Sequence, residues 1–395
     1  MPVCLHNATV LTGFAAMKDC AVLIEDGRIA DVFSEKRLVQ KKLPKNTITI
    51  NINGAYIAPG FIDTHIHGLC GFGCDDACAD SVLKMSKDLL RYGVTAFNPT
   101  IYPCNDMPQT VSAIAAAIGK ESGARIMGLH LEGPFLSPEK AGVQKPEKLK
   151  AVDIGLMERL IEAANGHIVN MTLAPELKGM RDLAIFCIKK GIVLQAGHTN
   201  AQYENMAEAM QVGILHSTHL FNAMSKMDHH NPNAVGSILI HPEFSCEIIA
   251  DGFHVHPDLF KLLLRDKPAD KIVLVTDSIK AANQKDGVLC ANGQELVFHD
   301  GVFHRKSDDV IAGSALTMIE GVRNLVRFGF SLEDAVKAAS SNPARIMRYT
   351  ELGCIIPGYY ADLVVFDADF NIKAAIVGGV IKYEDGLIYE TYYKK

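Results

Sequence analysis

His65 and His67 close the apolar run Ile57-Ala58-Pro59-Gly60-Phe61-Ile62-Asp63-Thr64-His65-Ile66-His67-Gly68 and are one residue apart. On a strand, the period of two puts both imidazoles on one face, where they form half of a metal site. In a turn the same His-x-His is merely two solvated side chains, so the reading depends on whether further ligand types stand at other strand ends. They do: Glu132 follows the apolar run 124–131, His198 follows 191–196, His219 ends 213–218 and Asp277 follows 271–276. Four imidazoles and two carboxylates suit zinc or another first-row divalent ion such as iron. The set suffices for one or two ions per subunit, with Glu132 between them if there are two, and Asp277 can act as a base. A metal in such a site brings the pKa of its water from about 15.7 to roughly 7, which is hydrolytic chemistry at neutral pH.

The elements that must position these residues follow from the same runs. With the opening stretch, the runs at 93–98, 124–131, 167–173, 191–196, 213–218, 246–250 and 271–276 number eight. Amphipathic segments at 81–92, 107–120, 152–164, 179–190 and 201–212 separate them. Continuous apolar strands alternating with helices predict a parallel (β/α)8 TIM barrel, whose active sites collect at the C-terminal strand ends. A doubly wound open sheet is the competing architecture, since periodicity does not distinguish a closed sheet from an open one.

Residues 1–55 read as short strands at 3–11, 21–25, 28–33 and 47–52, with Asp26-Gly27 as a hairpin turn. They offer too little face to be stable alone. The tail from Gly353 is again β, with strands at 361–366, 374–377 and 380–383 and a tight turn at Gly378-Gly379. The two ends are therefore expected to pair into one β-sandwich domain, 1–55 with 351–395, flanking a hydrolase barrel of 56–350. An insertion at 287–310, with turns at Ala291-Asn292-Gly293 and His299-Asp300-Gly301, is expected to shape the active face. Near the end, Ser331 with Asp334 and then Asn342-Pro343 signal two helix starts.

The 395 residues are 48% hydrophobic and 21% charged, with a net charge of -6. This argues against nucleic acid or an anionic membrane as partner. No run reaches about 18 apolar residues and no basic-then-apolar leader opens the chain, so a cytoplasmic protein is expected. The ten cysteines are scattered and read as reduced; the trio Cys70, Cys74 and Cys78 lacks the paired knuckles of a structural zinc site.

His-x-His after the first strand, single histidines after strands five and six, and an aspartate after strand eight resemble the amidohydrolase superfamily. Within it, Leu131-Glu132-Gly133-Pro134-Phe135, Ala196-Gly197-His198-Thr199, Thr218-His219-Leu220-Phe221-Asn222-Ala223-Met224, Ala250-Asp251-Gly252-Phe253-His254-Val255 and Val275-Thr276-Asp277 resemble the N-acetylglucosamine-6-phosphate deacetylase family over essentially the whole chain. The resemblance implies that Glu132, His198 and His219 are the metal ligands common to the family and that His65 and His67 are the ligands of a second metal. It makes Asp277 the catalytic acid/base, and it implies that Asn222, the backbone of Ala223 and His254 hold a sugar phosphate. It also implies a homodimer and an amino-sugar substrate. Two positions depart from the family. His230 stands where an arginine usually reaches across the dimer to the phosphate, and Gln144 stands where many relatives carry a histidine that polarises the acetyl carbonyl. Histidine is neutral near pH 7 unless its pKa is raised, so an unphosphorylated N-acetylhexosamine remains open beside N-acetylglucosamine 6-phosphate and its galactosamine epimer. A dihydroorotase-like hydrolase would need a bridging lysine that no strand end supplies. A reading from another class, an inactive scaffold homologue, sits poorly with six retained ligands. Read without the family, His254 and His256 are a solvated pair opening a helix, His229 and His230 are loop polarity, and Asn222-Ala223 is a cap.

Overall fold

The computed structural model of the chain describes residues 1–284 and 289–390. The first two residues of the expected insertion, Gly287 and Val288, and the tail residues 391–395 lie outside the described residues. Eight parallel strands follow one another in chain order: Phe61–Ile66, Val94–Ile101, Leu129–Glu132, Ile168–Leu173, Val193–Ala196, His216–Ser217, Ser245–Ile249 and Ile272–Val275. All eight residues of the second strand are buried, as expected of a strand covered on both faces. The eighth strand returns to the first. Asp277 N–H donates to the His65 carbonyl at 2.9 Å, and His67 N–H to the Ser278 carbonyl at 2.8 Å. Between the same two strands, Thr276 Oγ1 donates to the Asp63 carboxylate at 2.6 Å. Sequential strand order with last meeting first is a barrel, and it excludes the doubly wound sheet, whose order reverses at a switch point.

The expected helices form between the strands, at Ala79–Leu89, Met107–Ala115, Ile154–Ala163, Met180–Lys189 and Tyr203–Gln211. Two more, Asn233–Ile240 and Pro257–Asp266, follow the sixth and seventh strands. Ser331 caps Leu332–Ala339, its hydroxyl accepting from Asp334 N–H at 3.0 Å.

Both chain ends build one mixed sheet. The strand Val3–Leu11 forks: its first half pairs with Ile48–Asn51 and its second with Tyr56–Pro59, while Ala16–Glu25 runs along its other edge. Leu363–Phe366 pairs with Tyr56–Pro59, and Ile388–Glu390 with Ile48–Asn51. The fork encloses a core of Val3, Leu5, Val22, Ile24, Ile50, Ile57, Leu363 and Ile376, apart from that of the barrel. The opening stretch is therefore two strands rather than one. Tyr56–Pro59 belongs to the terminal sheet and Phe61–Ile66 to the barrel, with Gly60 between them. A Cβ at Gly60 would lie 2.0 Å from Thr95 Oγ1, which explains glycine at this crossing. Arg125 Nε, beside the third barrel strand, donates to Asp362 at 2.7 Å and fastens the sheet to the barrel.

The insertion is an antiparallel sheet of Cys290–Ala291, Gln294–His299 and Val302–Arg305. Asn292-Gly293 and Asp300-Gly301 have positive φ throughout, the requirement of tight two-residue hairpins. No two cysteines among the described residues are bridged. Among the same residues no helix is long and apolar enough to cross a membrane.

Candidate active site

The strand ends gather His65, His67, Glu132, His198, His219 and Asp277 over the barrel mouth. His198 and Asp277 leave the fifth and eighth strands in left-handed backbone, with φ of 46° and 48°. Such a conformation costs about 1 kcal/mol or more for a non-glycine residue and persists where the surroundings over-determine it. Phe221 and Ala223, in the segment after the sixth strand, share it at 80° and 50°.

Glu132 is the hub. Its Oε1 lies 2.9 Å from His198 Nε2, 3.1 Å from His219 Nε2 and 3.5 Å from His65 Nε2, and its Oε2 lies 3.3 Å from His67 Nε2. Asp277 Oδ1 faces His65 Nε2 at 3.5 Å and His67 Nε2 at 3.4 Å. The distal ring nitrogens face acceptors only: His65 Nδ1 the Glu247 carboxylate at 2.9 Å, His67 Nδ1 the Thr100 carbonyl at 3.1 Å, His198 Nδ1 the Lys140 carbonyl at 2.9 Å. Each of these three rings therefore carries a proton on Nδ1 and turns Nε2 inward. His198 Nε2 and His219 Nε2 stand 3.2 Å apart, and His65 Nε2 is buried without a hydrogen-bond partner. Lone pairs and carboxylates facing one another require cations between them. The donor set thus fits a divalent metal, as two buried groups that share Glu132: His65, His67 and Glu132, and Glu132, His198 and His219.

The protonation equilibria agree. Burial alone would raise the Glu132 carboxyl, but His198 and the other imidazoles hold it well below the usual carboxylate range. Asp277 is likewise lowered, by His65 and His67 against its burial. Burial works against the cations of His65, His67 and His198, yet the surrounding carboxylates raise all three. In the metal-free protein protons balance the acids, and metal binding exchanges with them.

A cavity of about 300 Å³ opens over these residues, lined among others by His67, Glu132, His198, His219 and Asp277. Gln144, Asn222, Ala223 and His254 line it too. Gln144 donates one amide hydrogen to Glu132 Oε2, while its own Oε1 is buried and unpartnered. His254 and His256 divide. His254 Nδ1 meets Asp251 Oδ2 at 2.6 Å, and this carboxylate raises its pKa although burial opposes the charge. His256 is exposed and caps Pro257–Asp266. His230 is exposed in the loop after the sixth strand, its N–H on Asp228 and its ring against His229 at 3.9 Å, outside the cavity of its own chain.

Two residues beyond the sequence reading belong to the site. Tyr102, just past the second strand, stacks on His67 with ring centroids 3.7 Å apart. Glu247, inside the seventh strand, is wholly buried and accepts from His65 Nδ1, from Gln195 Nε2 at 2.6 Å and from the His219 backbone N–H at 3.3 Å. A lone carboxylate within the apolar run 246–250 was the available signal for it.

Residues 56–382 match the model of the amidohydrolase family. N-acetylglucosamine-6-phosphate deacetylase of Bacillus subtilis (strain 168) is 34% identical over 392 residues, covering 96% of each chain. The crystal structure of N-acetylglucosamine-6-phosphate deacetylase from Pasteurella multocida superposes with a TM-score of 0.90 at 28% identity, covering 98% of this chain and all of that one. A mutant of the Mycobacterium smegmatis enzyme, in complex with N-acetyl-D-glucosamine-6-phosphate, gives 0.88 at 28% identity and covers 97% and 99%. The barrel and its mouth of imidazoles and carboxylates are those of an amidohydrolase, and the chain belongs to the N-acetylglucosamine-6-phosphate deacetylase family within that class.

Proposed function

We propose that the protein is a metal-dependent hydrolase that converts N-acetyl-D-glucosamine 6-phosphate to D-glucosamine 6-phosphate and acetate. The observation that carries this reading is the set of inward Nε2 lone pairs around Glu132 and Asp277 at the floor of a sugar-sized cavity. The relatives bearing this name at full length support it. Glu132, His198 and His219 would hold one divalent ion, and His65 and His67 with Glu132 a second. Zinc fits these donors, and iron or another first-row ion is compatible. Such an ion supplies Lewis acidity to the acetyl carbonyl and acidity to the attacking water.

The chain's own groups do the rest. Asp277, held ionised by His65 and His67, takes the proton of the water at Oδ and returns it to the departing amine. Gln144, with one amide hydrogen on Glu132, directs the other to the acetyl oxygen. His254, whose cationic form Asp251 favours, binds the 6-phosphate with Asn222 and the Ala223 amide. Glu247 fixes His65 in the Nδ1-protonated form and so acts as a positioning residue. The reading includes a cytoplasmic homodimer in which the partner's His230 adds to the phosphate site.

The test is a panel of N-acetylhexosamines, with and without 6-phosphate, on protein of known metal content. Highest kcat/KM on N-acetylglucosamine 6-phosphate is expected. Preference for the plain sugars would refute the phosphate assignment, and preference for the galactosamine epimer would refute the choice of sugar.

A further inference from the structure

The insertion carries a second group of metal-ligand types that shares no residue with the six at the barrel mouth. In the hairpin of Gln294–His299 with Val302–Arg305, His304 pairs with Val297 and His299 with Val302. His299 and His304 are thus diagonal neighbours on one face. Their rings stack, with centroids 3.8 Å apart and planes 10° from parallel. The chain then turns tightly, Arg305 N–H donating to the Val310 carbonyl at 2.8 Å, and brings Asp309 back over the two rings in left-handed backbone. Asp309 Oδ1 stands 3.2 Å from His299 Nε2 and 3.3 Å from His304 Nδ1. Zinc bonds of about 2.0–2.1 Å to nitrogen and oxygen set the ligand atoms of a tetrahedron about 3.3 Å apart. Both distances to the Asp309 oxygen already match such an edge, and all three donors lie within 4.8 Å of one another.

We propose that His299, His304 and Asp309 form a divalent transition-metal site of the zinc class on the insertion hairpin, with water completing the coordination. Without a metal the same groups meet as ion pairs: His299 Nδ1 also faces Asp300 Oδ2 at 3.3 Å, and two stacked imidazoles this close repel when both are charged. A divalent ion satisfies both rings and the carboxylate together. In doing so it takes the place of the proton that His304 Nδ1 otherwise directs to the Asp309 carbonyl at 3.1 Å. Asp309 is followed by Val310 and Ile311, which line the catalytic cavity, so the site sits in the outer wall of that cavity. Nothing in it depends on the reaction proposed above, since it shares no residue with the catalytic set.

The test is a zinc count. Enzyme loaded with its catalytic metal is equilibrated with micromolar zinc sulfate, separated by gel filtration and analysed by elemental mass spectrometry, as wild type, as the H299A/H304A double variant and as D309N. One more zinc per chain in wild type than in either variant is expected, with unchanged deacetylase turnover at low zinc. Equal zinc in wild type and variants overturns the proposal. Should the double variant not elute as a folded protein, D309N alone decides, because it keeps both rings and removes only the carboxylate.

Discussion

Glu247→Gln isolates how the barrel core prepares its metal ligands. The wholly buried carboxylate accepts from His65 Nδ1, Gln195 Nε2 and the His219 N–H, with Thr64 Oγ1 at 3.5 Å. An amide has one oxygen for these donors and presents two N–H groups of its own. If the oxygen stays on Gln195, the amide nitrogen faces His65 Nδ1, which must then give up its proton and accept. The ring proton moves to Nε2, the atom aimed at Glu132 and Asp277, and closes the lone pair a metal needs. A hydrogen bond to a charged group contributes about 1.5–3 kcal/mol, roughly a factor of 10 to 100 in an equilibrium constant. If His65 and His67 hold a metal as proposed, the E247Q variant should bind it about 10- to 100-fold more weakly, with an ion on Glu132, His198 and His219 retained. Chelator competition followed by metal analysis measures this directly. Excess metal should restore most of the turnover lost, as a positioning role requires. Wild-type affinity in a folded E247Q protein would refute the proposed tautomer control.

Other expectations follow from the same geometry. Asp277→Asn should lower kcat by about 10²- to 10⁴-fold while bound substrate and metal stay nearly normal, and near wild-type turnover would remove Asp277 from the acid/base role. Replacing His65 and His67 together should remove one metal equivalent if two are bound, as counted on H299A/H304A protein so that hairpin zinc does not enter the sum. In metal-free protein the Glu247 carboxyl is pushed down from 4.5 to about 2, its burial outweighed by His65 and other imidazoles. The stability it contributes, about 3 kcal/mol, is complete above pH 4.5 and lost as pH falls towards 2; urea midpoints at pH 6 and pH 3 should converge in E247Q relative to wild type. Gly60→Ala forces a Cβ onto Thr95 and should destabilise by about 1–3 kcal/mol through the strand that carries His65, visible as a lower denaturation midpoint.

The order of apolar runs was enough to determine the alternation of strands and helices, because a parallel sheet buried on both faces leaves no room for polar alternation. The strand-end rule then picked out His65, His67, Glu132, His198, His219 and Asp277 from the chain alone, since ligands of one site must share the mouth of one barrel. Turn chemistry did the same for Asp26-Gly27, Asn292-Gly293 and Asp300-Gly301, whose backbones demand positive φ. Closure was different: hydrogen bonds between the eighth strand and the first, such as those from Asp277 to His65 and from His67 to Ser278, distinguish barrel from open sheet, and they join residues more than two hundred positions apart. The split of the opening stretch at Gly60 was equally hidden, because both halves are apolar and only the choice of partner strand tells them apart. Tyr102 leaves no mark in the sequence because its role is a contact, a ring against His67; Glu247 shows there only as a lone carboxylate in an apolar run, and its partner His65 is decided by the fold. The sequence by itself thus determined which ligand-type groups meet at one mouth and on what kind of scaffold. Only tertiary structure decided which nitrogen of each imidazole faces inward, since tautomers are set by partners distant in the chain.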